Sequence, residues 1–319
     1  MSAMRHAITL PVLGLSTTFE SNDAAVVAAA DESFGMWRAL DREHHAGEAE
    51  ALHVRVSVVA GDEGKIPRGE HAPVRYSCPD ETRVVVQTRG SVAVSDPSKH
   101  EAVARVTAAL VADRAHFRAE VLEAVTLALL SPFDRHPVHA AAVARDGRAV
   151  LFAAPSGTGK STLAHACHCD GFALMAEDQV RVQLAPRARI WGWPLRVRLR
   201  DARSGASAKR TIDVRGNVGS ARLVADEFTV CILAREGGAA ALAPLDAATL
   251  ARELDAQLAP GFDRFPARWP AVRDALAARG GWRLHLSNDV HDAVALVRTL
   301  FSSPEPLRDG ELGGFGGAE

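Results

Sequence analysis

The most constraining feature of the chain is a short glycine-containing segment, Ala-Pro-Ser-Gly-Thr-Gly-Lys-Ser, at residues 154–161. An apolar run (148–154) precedes it, and a segment predicted to be helical (160–170) follows it. Small residues at such a strand-to-helix turn let backbone N–H groups converge on phosphate oxygens, and the helix N-terminus adds its positive end. The segment fits the Walker A pattern, with Ala154 in place of the usual first glycine. We therefore predict a nucleotide site on an α/β sheet.

The polar side chains of this loop suit a nucleotide triphosphate with its metal ion. Lys160 can reach the β- and γ-phosphates, and the Ser161 hydroxyl suits a position on Mg²⁺. The other interpretation, a glycine-rich turn that happens to contain a lysine, is weakened because few other lysines occur in this arginine-rich chain. The predicted cofactors are ATP and Mg²⁺. The predicted nucleotide-binding residues are Ala154, Pro155, Ser156, Gly157, Thr158, Gly159, Lys160, Ser161 and Thr162.

An acidic pair, Glu177 and Asp178, ends the strand that follows the predicted helix. If that strand runs parallel beside the one before the loop, both carboxylates emerge at the sheet edge where α/β proteins bind ligands. One carboxylate can then order Mg²⁺ together with Ser161, and the other can accept a proton from an attacking hydroxyl. We predict Ser161, Glu177 and Asp178 as metal ligands. An acidic turn that caps a strand end is the alternative.

A histidine, His139, opens the strand 138–145, which the turn Asp146-Gly147 joins to the strand before the loop. An Asp-Gly pair between alternating apolar runs predicts a β-hairpin. A histidine at the start of that hairpin can hydrogen-bond a transferring phosphoryl group or orient a carboxylate base. From its position alone, a structural role is the favoured interpretation.

Three segments taken together carry a family resemblance: VHA at 138–140, APSGTGKST at 154–162 and GFALMAED at 171–178. They resemble the catalytic core of the HPr kinase family, with a similar spacing from histidine to lysine to second carboxylate. The loop also resembles ATP-dependent phosphoenolpyruvate carboxykinase, whose nucleotide core is related to that family. The resemblance implies catalytic roles for His139 at the phosphates, Lys160 on the phosphates and Asp178 as proton acceptor for a substrate serine.

The chain departs from the family pattern at several positions. Glu177 stands where the family has aspartate, and Ala154 stands where it has glycine. The segment 211–219 is a loose counterpart of the family signature EIRGLGI. If that correspondence holds, Asp213 is a second metal ligand and Arg215 lies near the phosphates. An ordinary turn is the other interpretation of this segment.

These patterns predict an α/β protein with a P-loop domain of the HPr kinase and phosphoenolpyruvate carboxykinase-like type at 132–304. A smaller α/β (or α+β) domain of unknown role precedes it at 1–131, and a glycine-rich tail at 305–319 is expected to be disordered. In the first domain we predict strands at 6–15, 51–60 and 82–88, and helices at 22–40 and 100–130. In the second we predict strands at 180–184, 190–199, 228–234 and 282–286, and helices at 246–258, 268–279 and 289–302.

Composition limits the partners and the compartment. Apolar residues make up 47% and charged residues 24% of the chain, and the formal net charge is −2. This balance is typical of a globular protein and argues against a surface that coats nucleic acid. The cysteine spacing shows no disulfide framework, and no apolar stretch reaches the length of a membrane span. We expect a cytoplasmic protein with no membrane partner and no signal peptide, and a homo-oligomer stays open.

Other clusters have competing interpretations. His165, His168 and Cys169 share a helix face and offer metal ligands, but a single cluster is more typical of the buried back of a helix. The polar segment 42–48 is interpreted as a solvated helix end or loop rather than a metal site. The segment WGWP at 191–194 is interpreted as packing of a strand against a loop, with contact to a nucleotide base or substrate as the alternative. The alternating arginines give one basic strand face, which can meet phosphates or an acidic peptide or simply be solvated: Arg196, Arg198, Arg200 and Arg203.

The predicted function is therefore a serine kinase of the HPr kinase type, which transfers phosphoryl from ATP to a serine of a protein or peptide. Two alternatives are kept: a kinase of a small hydroxyl metabolite, and an ATP-binding regulatory or accessory module that transfers nothing. Both alternatives keep the nucleotide site; the first has a different acceptor, and the second has none.

Overall fold

The computed structural model describes residues 3–46, 51–61, 73–80, 82–194, 196–200, 209–213, 223–258 and 266–302. Of 196–200 and 209–213 it describes the backbone alone. The predicted tail at 305–319, Arg203 and Arg215 lie outside the described residues. The chain divides into two compact units, Met1–His136 with Val218–Ser220, and Pro137–Asn217 with Ala221–Glu319. Both units combine helices with sheets, so the protein is mixed α/β.

A seven-stranded sheet is the base of the first unit, in the order β1-β2-β3-β7-β6-β5-β4. Strand β3 is parallel to both of its neighbours, and the other pairs are antiparallel. Buried residues alternate with less buried ones along the central strands β2, β3, β6 and β7, whereas the edge strand β4 is exposed throughout. The strands are β1 (His6–Val12), β2 (Leu15–Ser21), β3 (Leu52–Val59), β4 (Arg75–Ser77), β5 (Val84–Thr88), β6 (Ser91–Asp96) and β7 (Glu101–Thr107).

The helices of this unit pack against the sheet through aromatic and aliphatic residues, such as the stacked pair Phe19 and Phe34. The first helix starts where the Asp23 carboxylate accepts the Ala25 N–H at 2.8 Å, an ordinary N-cap. The helices are α1 (Ala24–Phe34), α2 (Ala108–Ala112), α3 (Arg114–His116), a π-helical segment (Phe117–Leu122) and α4 (Glu123–Leu130). Short 3-10 turns occupy Gly35–Ala39, Arg42–His44 and Pro97–Lys99.

Two predicted elements of the first unit are wrong. The predicted strand 6–15 ends at Val12, because Leu13 and Gly14 take φ values of 52° and 79° and turn the chain back into β2. The predicted helix 100–130 begins only at Ala108, because Glu101–Thr107 is strand β7 between β3 and β6. In that stretch the alternation of side chains across a sheet outweighed the helix propensity of its alanines.

The second unit contains three sheets among its described residues. Six strands form the main sheet in the order β11-β9-β10-β17-β19-β18; the smaller sheets are β16-β13-β12-β8 and β14-β15. The strands are β8 (His136–Val138), β9 (Ala140–Arg145), β10 (Arg148–Ala153), β11 (Ala173–Ala176), β12 (Val180–Gln183), β13 (Arg189–Trp191), β14 (Arg196–Arg200), β15 (Lys209–Asp213), β16 (Val224–Ala225), β17 (Glu227–Ala234), β18 (Ala241–Leu245) and β19 (Gly281–His285).

Helices cover both faces of the main sheet. One apolar core includes α5 and α8, and the other includes α6, α7 and residues of the sheet β16-β13-β12-β8. The helices are α5 (Lys160–Cys169), α6 (Ala247–Ala256), α7 (Trp269–Ala277) and α8 (Val290–Ser302). The predicted hairpin is confirmed as β9 and β10, whereas the predicted strand 190–199 is two strands in different sheets. No helix within the described ranges is long and apolar enough to cross a membrane.

Candidate active site

The loop between β10 and α5, called the cradle below, turns through two glycines with positive φ. Gly157 and Gly159 take φ values of 89° and 125°, a region that residues with a side chain rarely adopt. Gly159 is the N-cap of α5 and offers no capping side chain, so the N–H groups of the first helical turn stay available to an anion. The glycines are therefore required by the local geometry, as the motif predicts.

Lys160 lies at the bottom of this cradle and is only 5% exposed. Its ammonium donates to the Ala154 carbonyl at 2.6 Å and to the Pro155 carbonyl at 3.3 Å, both in its own loop. Burial lowers the pKa of Lys160, and the nearby carboxylates of Asp178 and Glu177 oppose that shift. Because the net shift is downward, the loop holds the cation in place without fully compensating its charge.

The strand order differs from the sequence prediction at one point, and that point determines where His139 lies. We expected the strand before the acidic pair to lie directly beside β10, but β9 lies between them, antiparallel to both. The hairpin at Asp146-Gly147 returns the chain next to β10 and occupies that position. Strands β10 and β11 still run in the same direction, so their carboxyl ends share one edge. Since Ala153 pairs with Ala140, His139 emerges between them.

Glu177, at the end of β11, meets the first turn of α5. The Ser161 hydroxyl donates to Glu177 Oε1 at 2.7 Å, and Glu177 is 8% exposed. Two oxygens on adjacent positions of an octahedral Mg²⁺ are about 3.0 Å apart, because each lies about 2.1 Å from the ion. The pair therefore fits Mg²⁺ in both donor chemistry and spacing.

The next residue, Asp178, pairs with His139. The distance from His139 Nδ1 to Asp178 Oδ1 is 3.4 Å, and the Asp178 side chain is 44% exposed whereas that of His139 is 20% exposed. Burial lowers the pKa of His139, the Lys160 charge lowers it further, and Asp178 partly offsets both. The imidazole is accordingly neutral near pH 7, beside a carboxylate that an incoming hydroxyl can reach.

Sequence reasoning missed Arg235, which follows β17 at the same sheet edge. Strand β17 is parallel to β10, and the Arg235 Nε donates to the Thr158 carbonyl of the loop at 3.4 Å. Nη2 of Arg235 lies 3.5 Å from where a Cβ on Gly159 would stand. The available signal was its place directly after a buried apolar strand, but the pairing of that strand with β10 is not visible in the sequence.

The other sequence candidates do not join this cluster among the described side chains. The Cys169 sulfur lies 3.9 Å from the His165 ring nitrogens, but His168 contacts the Phe172 carbonyl at 3.2 Å instead, so the three do not form one group of possible ligands among the described residues. Trp191 is buried and donates to Gln183 Oε1 at 2.9 Å. The side chain of Asp213 lies outside the described residues.

No protein-family model and no curated protein matches this chain. Among solved structures, the Hpr(Ser) kinase/phosphatase from Coxiella burnetii is similar with a TM-score of 0.31 and 12% sequence identity. The match covers 53% of this chain and 95% of that chain. At this score the two folds share only a weak similarity.

Proposed function

We propose that this protein is an ATP-dependent kinase that transfers the γ-phosphoryl group to a hydroxyl, with a serine of a protein or peptide as acceptor. One observation carries the proposal: a buried lysine, a serine–glutamate pair and a histidine–aspartate pair converge at one edge of the main sheet. A module that only binds a nucleotide needs the buried lysine and the serine–glutamate pair but not the histidine–aspartate pair. The partly exposed carboxylate beside a neutral imidazole is the additional feature that a transfer reaction uses.

The nucleotide would lie on residues 154–162, with its phosphates on the backbone N–H groups of the loop and on Lys160. Arg235 would add a second cation on the β17 side of the loop. Ser161 and Glu177 would hold Mg²⁺, which leaves Asp178 for the acceptor hydroxyl, and the ion would neutralise charge that builds on the phosphates. Lys160 and Arg235 offset the negative charge that the acidic pair and the triphosphate bring together.

In the chemical step Asp178 takes the proton of the acceptor hydroxyl as that oxygen forms its bond to the γ-phosphorus. The bond from the γ-phosphorus to the bridging oxygen breaks, and ADP leaves with the electron pair. His139 stays neutral and holds the Asp178 carboxylate toward the acceptor. The chain's contribution is positioning and electrostatic stabilisation, since no covalent intermediate is needed.

The substitution Asp178→Asn tests this proposal. We expect acceptor-dependent transfer from labelled ATP to fall by about 10²–10⁴-fold, because the base is lost, while ATP affinity measured by calorimetry changes little. Asp170→Asn, at an aspartate that pairs with Arg298 on the surface, is the matched control and should transfer normally. Separate pools of serine peptides and of hydroxyl metabolites identify the acceptor class.

Two results would contradict the proposal. Transfer by the Asp178→Asn variant at the wild-type rate would remove the base assignment. ATP binding without transfer to any pool would favour a regulatory ATP-binding module instead.

A further inference from the structure

Strands β14 and β15 form a two-stranded sheet of their own in the second unit. They are antiparallel, and their register pairs Arg196 with Asp213, Arg198 with Thr211, and Arg200 with Lys209. The intervening pairs are Val197 with Ile212 and Leu199 with Arg210. Residues directly opposite each other in such a ladder lie on the same face, and successive pairs alternate between faces.

The register therefore gives the two-stranded sheet β14–β15, called the ribbon below, two chemically different faces. One face has Val197, Ile212, Leu199 and Arg210. The other, called the basic face below, has Arg196, Arg198, Arg200, Lys209, Thr211 and Asp213. The arginine alternation alone predicts a basic strand; the pairing with β15 adds Lys209 to the same face and leaves Asp213 as its only acid. Since the whole chain has a net charge of −2, this concentration of cations is local.

The ribbon lies near the helix that begins at the phosphate loop. Cα atoms of β14 come within 8 Å of those of α5, and α5 begins at Lys160. A helix of this length extends about 15 Å, so the ribbon is within roughly 25 Å of the lysine. An extended peptide covers that distance with about seven residues.

We propose that the basic face binds an acidic segment of the acceptor protein or peptide. Arginine forks and a lysine ammonium match carboxylates in charge and hydrogen bonding, and such complementarity selects partners and orients them. The six residues of the basic face include no aromatic side chain on which nucleic-acid bases could stack, so its composition favours an acidic peptide over a single strand. The role given to this binding rests on the proposed kinase function, but the binding itself can be tested separately.

The experiment uses the full chain and fluorescein-labelled peptides with one serine and a run of four glutamates, placed three, seven or twelve residues away. Peptides with lysine in place of glutamate are the charge control. Fluorescence anisotropy should show binding of the acidic peptides alone, weakened by salt. The double variant Arg198→Glu with Lys209→Glu should weaken it by about tenfold or more, because two attractions become repulsions.

Arg210→Glu is the matched control, since it makes the same charge change on the same strand as Lys209 but on the opposite face. We expect its affinity for the acidic peptide to stay within about twofold of wild type. The swap Arg198→Lys with Lys209→Arg should keep binding, and unchanged ATP affinity in every variant shows that the unit is folded. Equal losses in the Arg210→Glu and double variants, or no loss in either, would overturn the basic face as the binding surface.

Two further arms separate this inference from the kinase proposal and from other anionic partners. The Asp178→Asn variant should bind acidic peptides normally and phosphorylate none of them. Wild-type binding without phosphorylation supports the surface and counts against the kinase, whereas phosphorylation that ignores glutamates counts against the surface alone. Tighter binding of an oligothymidylate, or of vesicles rich in anionic phospholipid, through the same residues would overturn the assignment to an acidic peptide.

Discussion

Buried charges occur in both units, but they are arranged in opposite ways. In the first unit the Ser33 hydroxyl donates to the buried Glu123 carboxylate at 2.8 Å, and Arg118 lies 3.6 Å from the same oxygen. Arg118 and Arg114 also bind Glu32, at 3.0 and 2.7 Å. The hydrogen bond from Arg114 lowers the pKa of Glu32, and the same bond raises the pKa of Arg114. The charged forms of Glu32 and Arg114, whose side chains are partly exposed, are therefore favoured by the fold.

At the candidate active site of the second unit, the pKa shifts have the opposite effect on the charged forms. Burial lowers the pKa of both Lys160 and His139, so their charged forms are disfavoured relative to water. Cations that are fully paired with carboxylates stabilise the folded state. Cations that are desolvated, and whose charge the neighbouring groups balance only in part, can accept an anionic ligand. This difference is the one expected if the first cluster is a structural network and the second is the proposed nucleotide site.

The strongest test of this comparison is Lys160→Met. We expect the rate of phosphoryl transfer to fall by about 10²–10³-fold, because charge on the phosphates loses its main partner. The free energy of unfolding in urea should stay within about 1 kcal/mol of wild type, because the buried charge is removed with its desolvation cost. Lys99→Met, at an exposed lysine near Asp96, is the control and should change neither quantity. A large loss of stability in the Lys160 variant would make this lysine a structural ion as well.

For Glu123→Gln we expect the opposite of the Lys160→Met result: stability falls and nucleotide binding does not change. Losing the carboxylate removes one of two anions beside Arg118, which keeps Glu32 and the Ser33 hydroxyl, so the free energy of unfolding should fall by about 2 kcal/mol. The ATP affinity of the folded protein should not change. Glu43→Gln removes an exposed carboxylate of the same unit and should leave stability within about 0.5 kcal/mol. An ATP affinity reduced in the Glu123 variant as in the Lys160 variant would break the comparison.

The smallest expected effect is in the pH dependence of His139→Gln. Because the pKa of His139 is lowered in the folded protein, the unfolded chain binds a proton first as the pH falls through about 6.5. Wild-type stability should therefore decline from pH 7 to pH 5 more steeply than that of the variant. Urea unfolding across this range measures the difference, and His6→Gln, at an exposed histidine, controls for the loss of a ring. A steeper decline in the variant would reverse the sign of the shift.

Much of the second unit follows from local sequence patterns. The β9–β10 hairpin and helices α5 to α8 occur close to their predicted positions, because Asp-Gly turns, glycines and helical periodicity act within a few residues. The first unit was harder to predict. Its strand β7 is an alanine-rich stretch whose conformation is set by pairing with two other strands, and β3, one of its neighbours, is more than forty residues away in the sequence.

The sequence by itself determined which groups this protein has available: a glycine-containing loop with one lysine, an acidic pair after the next strand and a histidine before the hairpin. Only the tertiary structure decided that His139 lies between the loop and the acidic pair, since β9 occupies the position expected for β11. It also brought Arg235 to the loop and Lys209 to the face of Arg198. Strand pairing joins residues far apart in the chain, and its register depends on burial and hydrogen bonding over the whole sheet rather than on any local motif.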